Sequence, residues 1–178
     1  MKFKNMFSPI QIGPMTVKNR FVVPPMGNNF ANSDGTWSDE SVAYYGERAK
    51  GQFGLITIEA TVVHKGAKGG PKKPCLYDDN SIESLKKITD ACHEEGAKVS
   101  IQLQNAGPEG NAKNAGAPIQ AATAIASADG RDIPEEVSTE KVYELVKGYG
   151  EAAERAMKGG ADAVEIHTVS DLCQMSLN

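Results

Sequence analysis

No stretch of this 178-residue chain approaches the ~18 apolar residues a bilayer span needs, and its lysine-bearing start lacks a signal peptide's apolar run. Cysteine is scarce. Cys75, Cys92 and Cys173 show neither CxxC spacing nor an even count, which argues against disulfide frameworks and cysteine metal clusters. A net charge of −4 with both signs mixed along the chain leaves no dedicated nucleic-acid surface. There is no G-x-S-x-G nucleophile elbow, and His93-Glu94 lacks the second histidine of a zinc HExxH motif. The expectation is a protein in a reduced, cytoplasmic setting, with neither a membrane nor a nucleic acid as partner. At 40% hydrophobic and 24% charged residues, the chain is ordinary globular material rather than disordered.

What is present is a repeated alternation of helix and strand patterns. Residues 6–17 alternate apolar and polar around Gly13-Pro14, which predicts a hairpin. Asn19-Arg-Phe-Val-Val reads as a first strand halted by Pro24-Pro25, since two prolines cannot sit inside a ladder. Ser38 or Asp39 caps a helix to about Lys50 with Val42, Tyr45 and Ala49 on one face, and 54–59 is a second strand. Asp39, Glu40, Asp78 and Asp79 read as solvated caps. Residues 64–75, punctuated by Gly and Pro and rich in lysine, read as an exposed loop.

Asn80 with Glu83 resembles a capping box for a helix to about Glu95, striped by Ile82, Leu85, Ile88 and Ala91. A third strand follows at 97–103, then a Gly-, Ala-, Asn- and Pro-rich insertion to Val137. Ser138 caps a helix to Lys158 with a stripe of Val142, Leu145, Val146, Tyr149 and Ala153. The last strand, 161–166, delivers His167 at its C-terminal tip.

The three helix-to-strand junctions, Lys50-Gly-Gln-Phe-Gly, Glu95-Gly-Ala and Lys158-Gly-Gly-Ala, repeat one device: a charged helix end, a glycine for the left-handed cap, then a strand. This βα repeat predicts an α/β fold with a parallel sheet. Four such strands make half of a TIM-like (βα) barrel, with the hairpin at its floor, and residues 1–178 are expected to form one domain. The strands' C-terminal ends would gather Glu59, Gln102 and His167 beside Ala60 and the loop of Pro24, Pro25, Met26, Gly27 and Asn29. Read as a neutral set, these groups suit a planar heteroaromatic and the polarisation of a carbonyl. Each also has a plainer explanation as a strand terminator. His64 and His93 are assigned no role.

The strings Asn19-Arg-Phe-Val-Val-Pro-Pro-Met26, Asp34-Gly-Thr, Tyr45 with Arg48-Ala-Lys-Gly51, Gly54-Leu-Ile-Thr-Ile-Glu-Ala60, Ile101-Gln-Leu103 and Val164-Glu-Ile-His167 resemble the Old Yellow Enzyme-type NADH:flavin oxidoreductases. The branch most resembled is that of enoate and 2,4-dienoyl-CoA reductases. The resemblance implies an FMN-bearing barrel in which Pro24, Pro25, Met26, Gly27 and Ala60 line the flavin and Gln102 bonds its pyrimidine edge. It further implies that His167, with Asn29 and Ser170 nearby, binds the carbonyl of an activated alkene reduced at the expense of NAD(P)H.

The chain also departs from the family pattern. Ser170 stands where a second donor is usual, Leu172 replaces a tyrosine, and Asn105 and Pro108 replace the common His and Arg. The family's second half-barrel, with its phosphate-binding strands, has no counterpart in this sequence, nor does the cysteine cluster of the enoate reductases. Two further readings stay open: a non-catalytic half-barrel that folds or dimerises without redox activity, and a half-barrel handling sugar phosphates. Association, as a homodimer or with a completing half-barrel chain, is expected because the sheet would keep two unguarded edges and an uncovered apolar inner face.

Overall fold

The computed structural model describes residues 3–126 and 132–168. The hairpin forms as expected. Strands β1 (Ile10–Ile12) and β2 (Met15–Val17) pair antiparallel, and Gly13 takes the positive φ of the turn. β3 (Val22–Val23), β4 (Leu55–Val62), β5 (Lys98–Gln104) and β8 (Ala163–Ile166) form a parallel four-stranded sheet in chain order. The connections carry α1 (Asp39–Lys50), α2 (Ile82–Glu94) and α4 (Thr139–Lys158). Within the long insertion lie a one-turn helix, α3 (Ala112–Ala115), and the two-residue strands β6 (Gln120–Ala121) and β7 (Glu135–Glu136), which pair with each other.

The core lies between sheet and helices. Ile56, Ile58, Val99, Ile101 and Leu103 point to the helix side and meet Tyr45, Ala49, Leu85, Ile88, Cys92, Ala152 and Ala156. Leaving each of those aliphatic side chains exposed would cost roughly 1.5–3 kcal/mol. The alternate residues Thr57, Glu59, Ser100 and Gln102 occupy the other face. That face is therefore polar where an apolar inner face was expected.

The structure revises several local expectations. The first strand is short: only Val22 and Val23 pair, while Asn19 folds back, its Nδ2 donating to the Gln52 carbonyl and its Oδ1 accepting from Phe21 N–H. Residues 64–75 are not an exposed loop. Val62 bridges Cys75, Leu76 N–H returns to the Val62 carbonyl, and Gly66, Ala67, Lys68 and Cys75 are buried.

No box forms at Asn80: Asp78 caps a 3-10 turn (Asp79–Ser81) by accepting from Asn80 N–H, and α2 follows directly from Ser81 with no side-chain cap of its own. At the first junction Gln52 rather than Gly51 takes the left-handed conformation, whereas Gly96 and Gly160 do so at the other two. The α4 stripe is rotated only in part: Leu145, Ala152 and Ala156 are buried and Tyr149 and Ala153 pack against the core, while Val142 and Val146 face outward. Small residues win those positions because α4 passes close to α2, where a Cβ on Gly159 would stand 2.6 Å from Leu85 Cδ2. His93, assigned no role from the sequence, donates through Nε2 to Asp162 Oδ2 at 2.7 Å. Asp162 also takes Lys98 Nζ at 2.6 Å and Val99 N–H at 2.9 Å. This cluster ties α2 and β5 to the start of β8.

Candidate functional site

The strands being parallel, their C-terminal ends share one rim, and the loop leaving β3 crosses it. Pro24 and Pro25 end β3 because neither can donate to the ladder. Pro24, Met26, Gly27 and Asn29 are exposed and Pro25 half-buried, so the loop offers backbone to anything bound above it. Asn29 holds φ +59°, a left-handed turn that asparagine tolerates better than most residues. Phe30 then packs edge-on against Tyr44 of α1.

Beside this loop β4 is interrupted. Ile58 pairs with Ile101 and Thr61 with Leu103, so Glu59 and Ala60 together stand opposite Gln102 alone. That is a β-bulge, which leaves one residue out of the ladder and re-aims its neighbours. Three residues singled out from the sequence thus meet at one point of the sheet.

The bulge buries Glu59 completely. Its Oε2 accepts from Asn28 N–H at 3.3 Å and lies 3.7 Å from Lys73 Nζ, while its Oε1 is buried without a described partner. Burial raises the carboxyl above the usual glutamate range, with Lys73 and the Asn28 amide offsetting part of the effect. Tyr45 completes the cluster: its hydroxyl accepts from Glu59 N–H at 3.0 Å and from Asn28 Nδ2 at 3.5 Å. Burial raises the Tyr45 phenol as well, so it stays neutral. The rim is therefore not the neutral set that was expected, because it contains a buried carboxylate and a lysine.

On the next strand Gln102 pairs in register with Glu165, and its Nε2 donates to Glu165 Oε1. His167 follows β8, with its N–H donating to the Leu103 carbonyl at 3.0 Å. By alternation it lies on the face of Glu165 and Gln102, half-exposed. Ser170 and the substituted position Leu172 fall outside the described residues.

Glu165, Lys73 and the Tyr45 hydroxyl are the members that sequence reasoning missed. Glu165 was legible, since it stands two positions before His167 on the same strand. Lys73 was not, because it reaches Glu59 only through the folding of 64–75 back onto β4. Among the described residues no group of three or more His, Cys, Asp or Glu side chains is placed to hold a metal ion.

The donor set suits a flat ring with a polar edge. The bulge frees backbone at Ala60 from the ladder, Gln102 carries both donor and acceptor on one planar amide, and the loop backbone is open. A flavin's pyrimidine edge presents the matching carbonyls and N–H, so these residues fit FMN.

Comparison with known proteins agrees. The model of the NADH:flavin oxidoreductase / NADH oxidase family matches residues 5–172. The NADPH dehydrogenase of Bacillus subtilis (strain 168) is 37% identical over 92% of this chain and 48% of its own length. The cinnamate reductase of Clostridium sporogenes is 36% identical over 96% of this chain and 27% of its own length. The chain thus spans about half or less of these curated relatives. Among solved structures, an old yellow enzyme homologue from Zymomonas mobilis superposes with a TM-score of 0.84 at 30% identity, covering 92% of this chain and 48% of that one. A 2-naphthoyl-CoA reductase gives 0.89 at 29%, covering 96% and 28%. On sequence and fold together, this chain belongs to the NADH:flavin oxidoreductase / NADH oxidase family.

Proposed function

We propose that this chain is the flavin-lining, N-terminal half of the barrel of an FMN-dependent NAD(P)H oxidoreductase. The substrates proposed are activated C=C bonds of enones, enoates or enoyl thioesters. The observation that carries the reading is the bulge that sets Glu59 and Ala60 against Gln102 beneath the Pro24 to Gly27 loop, in a chain of this family. The names of two relatives, a cinnamate reductase and a 2-naphthoyl-CoA reductase, support an enoate or a thioester as substrate class.

FMN bound at this rim supplies hydride transfer between a nicotinamide and the alkene. The chain's own residues bind and orient. Loop backbone at Pro24, Pro25, Met26 and Gly27, with Ala60, lines the ring, and Gln102 holds its polar edge. His167 donates a hydrogen bond to the substrate carbonyl, stabilising charge that develops there. Asn29 and Ser170 border the substrate.

The same reading treats the four strands as half of an eight-stranded barrel, with residues 1–178 as one unit. Among the described residues β8 is paired on one side alone, and its outward Val164 and Ile166 are 40% and 47% exposed. A completing half-barrel, from another chain or a second copy, is the partner these features suit. The exposed edge also favours the second reading, a chain that associates through β8 without redox activity.

The test is reconstitution. The chain is mixed with FMN, alone and with a chain carrying the remaining four strands of a family barrel, and assayed with NADH or NADPH and a cinnamate-type acceptor. Weak flavin retention alone, with tight retention and turnover after completion, supports the enzyme. A stable dimer that takes up no flavin in either mixture replaces it with the second reading.

A further inference from the structure

Within the flavin reading, on which this inference rests, Glu59 has no role in contacting cofactor or substrate. Yet no other acid among the described residues is so deeply buried. Taking an ion out of water costs several kcal/mol, and an apolar side chain of similar volume is often as good or better for stability. Packing therefore does not explain an acid here. What surrounds the carboxylate does.

The groups near Glu59 belong to the loop that follows β3 or close over it. Asn28 N–H donates to Oε2 at 3.3 Å. Lys73 Nζ stands 3.7 Å away, and a Cβ built on Gly27 would lie 2.9 Å from that nitrogen and 3.8 Å from Oε2, so the loop backbone passes directly against the pair. The Asn28 side chain is gripped as well. Its Nδ2 reaches Tyr45 Oη, the atom that receives Glu59 N–H, and its Oδ1 accepts from Phe30 N–H. The left-handed turn at Asn29 follows at once. Asn28 is the pivot of the loop, and Glu59 holds its backbone.

We propose that Glu59 is a positioning residue. Its carboxylate, steadied by Lys73, ties down the amide of Asn28. It thereby fixes the Pro24 to Gly27 backbone beside the bulge at Ala60, setting the shape of the surface that receives the flavin. Glutamine preserves this function in part, because its carbonyl still accepts from Asn28; alanine abolishes it.

Hydrogen exchange on the whole chain, without cofactor, tests the clamp. In Glu59→Ala the Asn28 amide and the segment 24–30 should exchange about tenfold faster or more, with β5 protection unchanged. Glu59→Gln should restore protection to within a few-fold. Should the alanine variant fail to fold, Glu59→Leu fills the space while removing both charge and acceptor, and the same local loss is expected. Unchanged exchange in 24–30, or an equal loss spread through β5, overturns the proposal. Flavin fluorescence quenching is the second readout, with affinity falling in the alanine variant and recovering in the glutamine one. A wild-type chain that quenches no flavin, alone or completed, defeats the flavin reading while leaving the exchange result to judge the clamp.

Discussion

The centre of the sheet and its β8 edge follow one sequence rule and meet opposite fates. In β4 and β5 the residues directed at the helices, Ile56, Ile58, Val99, Ile101 and Leu103, are wholly buried beneath α1 and α2. In β8 the equivalent register positions, Val164 beside Ile101 and Ile166 beside Leu103, remain 40% and 47% exposed. Helix α4 repeats the contrast, with Leu145, Ala152 and Ala156 packed inward and Val142 and Val146 facing out. A β-branched pattern tells which side of a strand is meant to be covered. It does not tell whether this chain supplies the cover.

The largest effect expected from breaking that contrast is at the centre. Ile101→Ala should cost about 2–5 kcal/mol of unfolding free energy in a urea titration, and Val164→Ala well under ~1 kcal/mol. Equal losses would mean that β8 is covered in solution.

Next is the clamp that holds the edge to the centre. Asp162→Ala leaves Lys98, His93 and the Val99 amide without their acceptor, an expected loss of roughly 1–3 kcal/mol. Burial alone would raise this carboxyl, but Lys98, the Val99 amide and His93 outweigh it and hold it below the usual range. A lowered folded-state pKa contributes stability above the unfolded value of ~3.9, lost as pH falls through the folded pKa. The wild type should therefore lose stability on acidification through that range, and Asp162→Asn should lose less.

Glu59 at the rim runs the other way. Its raised pKa means that the folded chain binds the proton more tightly, so stability declines as pH rises from the unfolded value of ~4.3 through the folded one. Glu59→Gln should flatten that decline in a pH series of melting curves. A slope unchanged by the substitution would show that burial does not raise this acid above its unfolded value.

The smallest expected change in folding stability comes from Val164→Lys with Ile166→Lys, within about 0.5 kcal/mol as usual for exposed positions. The same pair should abolish any self-association measured by light scattering. Association that survives both lysines would place the contact elsewhere.

The rim and the centre also differ in how far the sequence revealed them. Strand order and two of the three long helices' N-caps were readable: Ser38 and Ser138 cap where expected, and Gly96 and Gly160 turn left-handed before their strands, whereas the box read at Asn80 and the left-handed Gly51 do not form. Ala60, Gln102 and the Pro24 to Gly27 loop were placed together by parallel strand logic alone. The bulge was not foreseen, because nothing in Ile-Glu-Ala-Thr announces an extra residue, and it is the bulge that buries Glu59. Lys73 and the Cys75 bridge were hidden for a related reason. Gly- and Lys-rich composition suggests solvent, yet 64–75 is drawn in by backbone pairing with the end of β4. The polar inner face was missed because short β-branched runs do not say which of their two faces will carry the serine, threonine and glutamine.

The central claim is that the β4–β5 centre, through Gln102, is where flavin is held, while His167 at the edge serves the substrate. Titration of FMN by fluorescence quenching into the completed protein, with Gln102→Leu and His167→Ala alongside wild type, tests it directly. The account predicts that Gln102→Leu weakens flavin about tenfold, roughly one hydrogen bond's worth, while His167→Ala leaves the affinity within about twofold. Equal weakening by both, or an affinity untouched by Gln102→Leu, would contradict it.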